Sequence, residues 1–157
     1  MPRYYEKFYN DEPPREISED EARARPWYVE EVEGPPRHYR QYSGGRVELV
    51  IYAGYDDPAP AVADSRARYE DIPLEVHSPV TTGARTTWRT WYYDASGQLQ
   101  KIVGYEQDPE SPAHSDYLYR PDGTLVGHRD SVYDEYGLVE VITYDALGNI
   151  VNREDAD

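Results

Sequence analysis

Tyr144-Asp145-Ala146-Leu147-Gly148-Asn149-Ile150 is the stretch whose reading decides the fold. It runs aromatic, polar, two variable residues, glycine, one variable residue, aliphatic. The same order occurs at Tyr93-Asp94-Ala95-Ser96-Gly97-Gln98-Leu99, Tyr119-Arg120-Pro121-Asp122-Gly123-Thr124-Leu125 and Tyr133-Asp134-Glu135-Tyr136-Gly137-Leu138-Val139. A looser copy is Tyr39-Arg40-Gln41-Tyr42-Ser43-Gly44-Gly45-Arg46-Val47. Glycine takes the left-handed conformation that closes a short hairpin loop. The polar residues before it satisfy the loop backbone. The aromatic before the loop and the aliphatic after it then meet across two strands. Each copy therefore predicts one antiparallel hairpin.

The repeated glycines are separated by 26, 14 and 11 residues. That irregularity excludes a strict solenoid or propeller and predicts a meander with turns at both ends of the sheet. Runs of Tyr, Trp, Val, Ile and Thr between Gly, Asp, Asn and Ser clusters support the same reading. The expected fold is mainly β: a curled antiparallel sheet of eight to ten strands with one or two short helices. Ser18-Glu19-Asp20-Glu21 is a capping box predicting a helix over 18–25, stopped by Pro26. A second helix is expected from Pro60 to Glu70, inside a long excursion from Gly54 to Pro79. One domain covers residues 1–157, with an acidic N-terminal segment over 1–34 and the hairpin sheet over 35–157.

The motif Tyr144-Asp145-Ala146-Leu147-Gly148-Asn149-Ile150-Val151 resembles the tyrosine–aspartate repeat of bacterial Rhs-type toxin shells. Trp91-Tyr92-Tyr93-Asp94-Ala95-Ser96-Gly97-Gln98-Leu99 resembles the hairpin units of MORN-like antitoxin proteins and is similar to choline-binding wall repeats. The resemblance spans roughly residues 88–153. It implies a hairpin sheet and a role in binding, as an immunity or antitoxin protein or as a wall-binding module. The chain is too short to build an Rhs shell.

The net charge is −15, unevenly spread: −5 over residues 1–34, zero over 35–90 and −10 over 91–157. Phosphate backbones are repelled by such a field, so no nucleic-acid partner is expected. A basic protein is steered toward it. There are no cysteines, which removes disulfides, thiolate metal sites and cysteine nucleophiles. The opening residues Met1-Pro2-Arg3-Tyr4-Tyr5-Glu6-Lys7 carry no secretory signal, and no run is apolar enough to span a membrane. A cytoplasmic location is expected, with no membrane partner.

No nucleophile elbow or phosphate loop occurs. The chain is therefore read as a non-catalytic binding protein without a cofactor. Tyrosine (17 residues) and tryptophan (3) far outnumber the single phenylalanine, so many rings are expected at a half-wet sheet face where their polar ends find partners. Trp88, Trp91, Tyr92 and Tyr93, beside Arg85 and Arg89, form the most aromatic strand, expected to pass through the core with one side exposed. With them, Asp116, Tyr117, Asp130, Asp134, Glu135 and Tyr136 are the candidate binding residues. No metal site is assigned. A three-residue loop at Pro121-Asp122-Gly123 would pair Asp116 with His128 and His114 with Asp130 on one face, as two ion pairs or a metal-binding cluster. It would leave Tyr117, Tyr119, Leu125 and Tyr133 on the other. The acidic clusters Asp56-Asp57 and Glu106-Gln107-Asp108-Pro109-Glu110 are read as solvated loops. The competing roles are a glycan-binding module, a self-associating structural protein and a carboxylate- or histidine-based enzyme.

Overall fold

The structure is a computed structural model that describes residues 1–8, 15–82 and 85–156; for 79–82, 85 and 86 it describes the backbone alone. Twelve strands and two helices follow in order: β1 (Arg3–Tyr5), β2 (Glu16–Ile17), α1 (Glu19–Arg23), β3 (Trp27–Val32), β4 (His38–Ser43), β5 (Arg46–Ala53), α2 (Ala59–Arg68), β6 (Leu74–Thr82), β7 (Arg85–Tyr93), β8 (Leu99–Gln107), β9 (His114–Tyr119), β10 (Leu125–Asp134), β11 (Gly137–Asp145) and β12 (Ile150–Asp155). The strands pair in the order β12-β11-β10-β9-β8-β7-β6-β5-β4-β3-β1-β2. A mainly β meander of hairpins is thus what the chain forms, with more strands than expected. The expected curling is corrected by the pairing: the order is linear, β2 and β12 are its ends, and nothing among the described residues joins them.

Two further expectations are revised. The excursion from Gly54 to Pro79 contains the start of β6. That strand pairs parallel to β5, Val50 opposite Leu74 and Tyr52 opposite Val76, with α2 as the connection between them. Parallel neighbours need such a crossover, which is why a long segment interrupts the meander here. The N-terminal 34 residues hold β1 to β3 as well as α1.

The chain divides into two compact units. Unit 1 comprises Met1–His77 and Tyr92–Leu99; unit 2 comprises Ser78–Trp91 and Gln100–Asp157. In unit 1 both helices form where their signals lie. The Ser18 hydroxyl accepts from the Glu21 amide at 3.1 Å, capping α1. The Glu21 carboxylate faces Arg15 at 3.3 Å and Arg25 at 3.9 Å, in place of the reciprocal capping contact. Ala22 of α1 packs with Ile17 and Tyr28, and Tyr28 stacks on Tyr42 at 4.7 Å. Consecutive residues Val50, Ile51 and Tyr52 are all buried, so β5 is covered on both faces.

In unit 2 two hairpin loops follow one backbone scheme. At β11–β12 the Asp145 amide donates to the Asn149 carbonyl (2.9 Å) and the Gly148 amide to the Asp145 carbonyl (3.1 Å). Gly148 sits at φ 83°, a conformation that favours glycine. The Asp145 carboxylate accepts from the Leu147 and Asn149 amides, both at 2.9 Å. The β9–β10 loop repeats the backbone scheme, with Arg120 donating to Thr124 at 2.8 Å. Across these loops Tyr144 faces Ile150 and Tyr119 faces Leu125, as the motif requires. The third copy departs: Asp134 pairs with Gly137, a tighter turn that sets Tyr133 opposite Leu138 and not Val139.

Candidate functional site

The residues singled out for binding fall mainly on unit 2, whose sheet is wet. Among its described residues Ile142 is the one buried apolar side chain. Large apolar groups instead reach solvent: Leu118, Val126, Leu138, Val139, Ile150 and Val151 on strands or their margins, and Tyr136 (89% exposed) and Leu147 (88%) at turns. Both described helices belong to unit 1. Cross-strand contacts therefore carry much of the packing within unit 2.

The register of β9 against β10 decides which candidates meet. Pairing starts as expected beside the Pro121-Asp122-Gly123 loop, but a bulge between Leu125 and Gly127 inserts one residue. His128 then lies opposite Tyr117, Asp130 opposite Ser115, and Asp116 opposite Arg129. The expected pairs Asp116–His128 and His114–Asp130 are not formed. A one-residue slip moves side chains to the other face. His128 and Asp130 therefore share a face with Tyr117, while His114 and Asp116 lie on the reverse. Gly127 permits the bulge, because a Cβ there would collide with the Tyr144 carbonyl oxygen. Among the described residues no three His, Cys, Asp or Glu side chains are arranged to hold a metal ion.

On the first face the rings form a ladder. Tyr119 stacks near Tyr117 (6.5 Å), Tyr117 on His128 (5.2 Å), and His128 on Tyr144 (4.4 Å, 8° between planes). The Arg89 guanidinium covers Tyr119 at 5.7 Å. Asp130 accepts from the Ser115 hydroxyl at 2.6 Å and lies 3.8 Å from His128. Burial, and secondarily Glu106, pushes the Tyr117 phenol above its ordinary pKa.

On the reverse face a second run links Trp88 to Tyr105 (4.9 Å), Tyr105 to His114 (5.1 Å) and His114 to Tyr133 (6.0 Å). Tyr133 is thus separated from Tyr117, contrary to the face assigned from sequence. Asp116 faces Arg129 at 3.7 Å. A trough of about 520 Å³ opens nearby, lined by Val103, Leu118, Val126 and Val151 together with Lys101, Asp116 and Arg129.

The remaining candidates are dispersed. Trp88, Trp91, Tyr92 and Tyr93 are all half-buried on β7, but Trp88 and Trp91 belong to unit 2 and Tyr92 and Tyr93 to unit 1. Burial raises the pKa of both Tyr92 and Tyr93. The Arg85 side chain lies outside the described residues. Asp134 accepts from the Tyr136 amide at 2.7 Å, so Asp134, Glu135 and Tyr136 form an exposed turn. Asp57 and Asp108 likewise cap their own loops, accepting from the Ala59 and Glu110 amides.

Sequence reading missed a polar cluster in unit 1. His38 is fully buried; its Nδ1 lies 2.9 Å from the Pro36 carbonyl, which can only accept. Nδ1 therefore carries the proton, and Nε2 accepts from the Tyr69 hydroxyl at 2.5 Å. His38 stacks on Tyr52 (4.8 Å), whose hydroxyl donates to Asp64 at 2.5 Å. Burial lowers the His38 pKa. Burial pushes the Asp64 carboxyl up, but hydrogen bonds from Tyr52 and Arg68 outweigh it and the net shift is downward. Tyr69 also lines a cavity of about 340 Å³ with Val62, Arg66, Leu74 and Tyr93. His38 opens β4 and Tyr69 follows α2, 31 residues apart with β5 between them, and no local pattern marks the pair.

No family model, curated protein or solved structure matches this chain. Among the described residues no helix is long and apolar enough to cross a membrane.

Proposed function

We propose that this chain is a non-catalytic protein-binding protein of the immunity or antitoxin kind, and that unit 2 is the surface that meets a basic partner. The observation that carries this reading is the set of large apolar side chains left in water on unit 2, interleaved with carboxylates. Contiguous exposed apolar surface marks interaction sites, and Leu118, Val126 and Val151 line one trough with Val103. Aromatic and aliphatic groups supply the buried contact, while Asp116, Asp130, Asp134 and Glu135 supply steering. The excess of carboxylates over basic groups in residues 91–157, 14 against 4, selects a cationic partner and disfavours nucleic acid. The Rhs-like and MORN-like motifs agree with a partner of the toxin class, met in the cytoplasm.

The test uses the full chain as bait in lysate, beside a variant with Leu118, Val126, Leu138 and Val151 all changed to Ser. The wild type captures a cationic protein in low salt, and the variant loses it. Capture by both baits alike, or of acidic proteins alone, overturns the reading.

A further inference from the structure

The last strand of unit 2 ends the pairing order, and all six of its residues are exposed. Its backbone can be assigned group by group. The Ala156 amide donates to the Val139 carbonyl at 2.8 Å, so that pair is hydrogen-bonded. Antiparallel pairs alternate between bonded and non-bonded. Glu140–Asp155 and Ile142–Arg153 are therefore non-bonded pairs, and the N–H and C=O groups of Asp155 and Arg153 point away from β11. No described strand receives them. Edge strands are commonly protected by charges, bulges, proline or a covering element; β12 has no proline, and its bulge beside Ile150 and its charges Arg153, Glu154 and Asp155 discourage pairing with a like-charged strand while leaving the outward backbone groups open to a complementary one.

The side chains at this edge specify a charge. Glu140 and Asp155 are directly opposite, two carboxylates facing each other across the strands. Arg153 is the one cation on β11 and β12, and both Glu140 oxygens take it, at 3.3 and 3.2 Å. Asp155 has no ion-pair partner among the described residues. A second copy of this chain would bring further carboxylates to the same edge. A cation opposite Asp155 would relieve the repulsion.

We propose that the outer edge of β12 accepts an extended segment of a basic partner as a thirteenth strand. A Lys or Arg of that segment sits opposite Asp155, and its apolar residues lie against Ile150 and Val151, which are 48% and 60% exposed. Main-chain bonds to Arg153 and Asp155 supply the register and the carboxylates supply the choice of partner. This inference rests on the protein-binding reading above and names its mode.

The probe is a seven-residue peptide of alternating Lys and Val, with alternating Glu and Val as control, titrated to about 1 mM against the full chain. Amide hydrogen exchange at Arg153 and Asp155 slows at least about tenfold with the Lys peptide and is unchanged with the Glu peptide. Asp155→Pro removes an outward N–H that the fold does not use, so thermal unfolding is kept while peptide affinity falls by about tenfold or more. Asp155→Asn keeps the backbone and reduces both affinity and its salt dependence; if Asp155→Pro proves unstable, this variant and the exchange pattern decide. Absence of protection at these two amides, equal binding of the Glu peptide, or undiminished binding by a folded Asp155→Pro overturns the proposal. A bait carrying Asp155→Pro that still captures the cationic protein lost by the Ser variant overturns the edge alone and leaves protein binding standing. Capture by every bait removes the underlying reading.

Discussion

Unit 1 and unit 2 share a strand vocabulary and differ in what they bury. Eleven of the buried apolar residues described lie in unit 1; Ile142 is alone in unit 2. In unit 1, β3 and β5 have consecutive buried residues, with the alternation of a half-wet strand lost. In unit 2, strands such as β10 are half-buried or exposed along their whole length. The hydrophobic term is roughly proportional to area removed from water. Unit 1 therefore owes its stability mainly to burial. Unit 2 relies on ladder hydrogen bonds, ring stacking and loops tied by Asp carboxylates. A protein that keeps one region for folding and another for contact would be arranged in this way.

The largest effect that can break this comparison is a core truncation in unit 1. Ile51→Ala removes a side chain that is 2% exposed and is expected to cost about 2–5 kcal/mol in urea unfolding. A cost near zero would mean that unit 1 has no tight core. Next is the loop scheme. Gly148→Ala places a Cβ at φ 83° and is expected to cost about 1–2 kcal/mol. Hydrogen exchange should locate this loss in the β11–β12 hairpin. If exchange rises equally throughout unit 1, the two regions are not separable in energy.

The repeat makes much of unit 2 legible in the sequence alone. Tyrosine, aspartate and glycine each have a local job in a five-residue loop, so their spacing is enough to place the turn. The register beyond the loop was not legible. It depends on one inserted residue near Val126, tolerated because Gly127 lies against the Tyr144 carbonyl, a contact with a strand not adjacent in sequence to the loop. That single step separates His114 and Asp116 from His128 and Asp130. The parallel β5–β6 pair and the His38–Tyr69 contact were hidden for the same reason. Both form across α2, and residue periodicity reports faces, not distant partners. The open edge of β12 was likewise invisible, because strand order is a property of pairing.

The His38 cluster offers a smaller, pH-dependent test confined to unit 1. Burial holds the folded pKa of His38 below its ordinary value of 6.5. The unfolded chain takes up the proton near that ordinary value, while the folded chain resists until the pH is lower. Between the two values the unfolded state binds more protons, so stability rises with pH there. The contribution is complete above the ordinary value and is lost as pH falls through it toward the folded value. Urea unfolding at about pH 7.5 should therefore exceed that at about pH 5, and His38→Gln should flatten this part of the profile. Depressed carboxylates such as Asp64 act at lower pH and do not mimic it. An unchanged slope in His38→Gln would remove the cluster as the source.

The smallest effect is the most informative about unit 2. Val151 is 60% exposed, so Val151→Ser should move the unfolding free energy by no more than about 0.5 kcal/mol. Single exposed apolar side chains are ordinary on protein surfaces, so the proposed contact with a partner is tested by capture and not by exposure alone. The measurement is decisive in both directions. If Val151→Ser costs as much as a core truncation, the side chain is buried in solution by a contact within the chain, and unit 2 is not an open surface. If stability is untouched while capture of the cationic partner weakens, folding and binding reside in different residues.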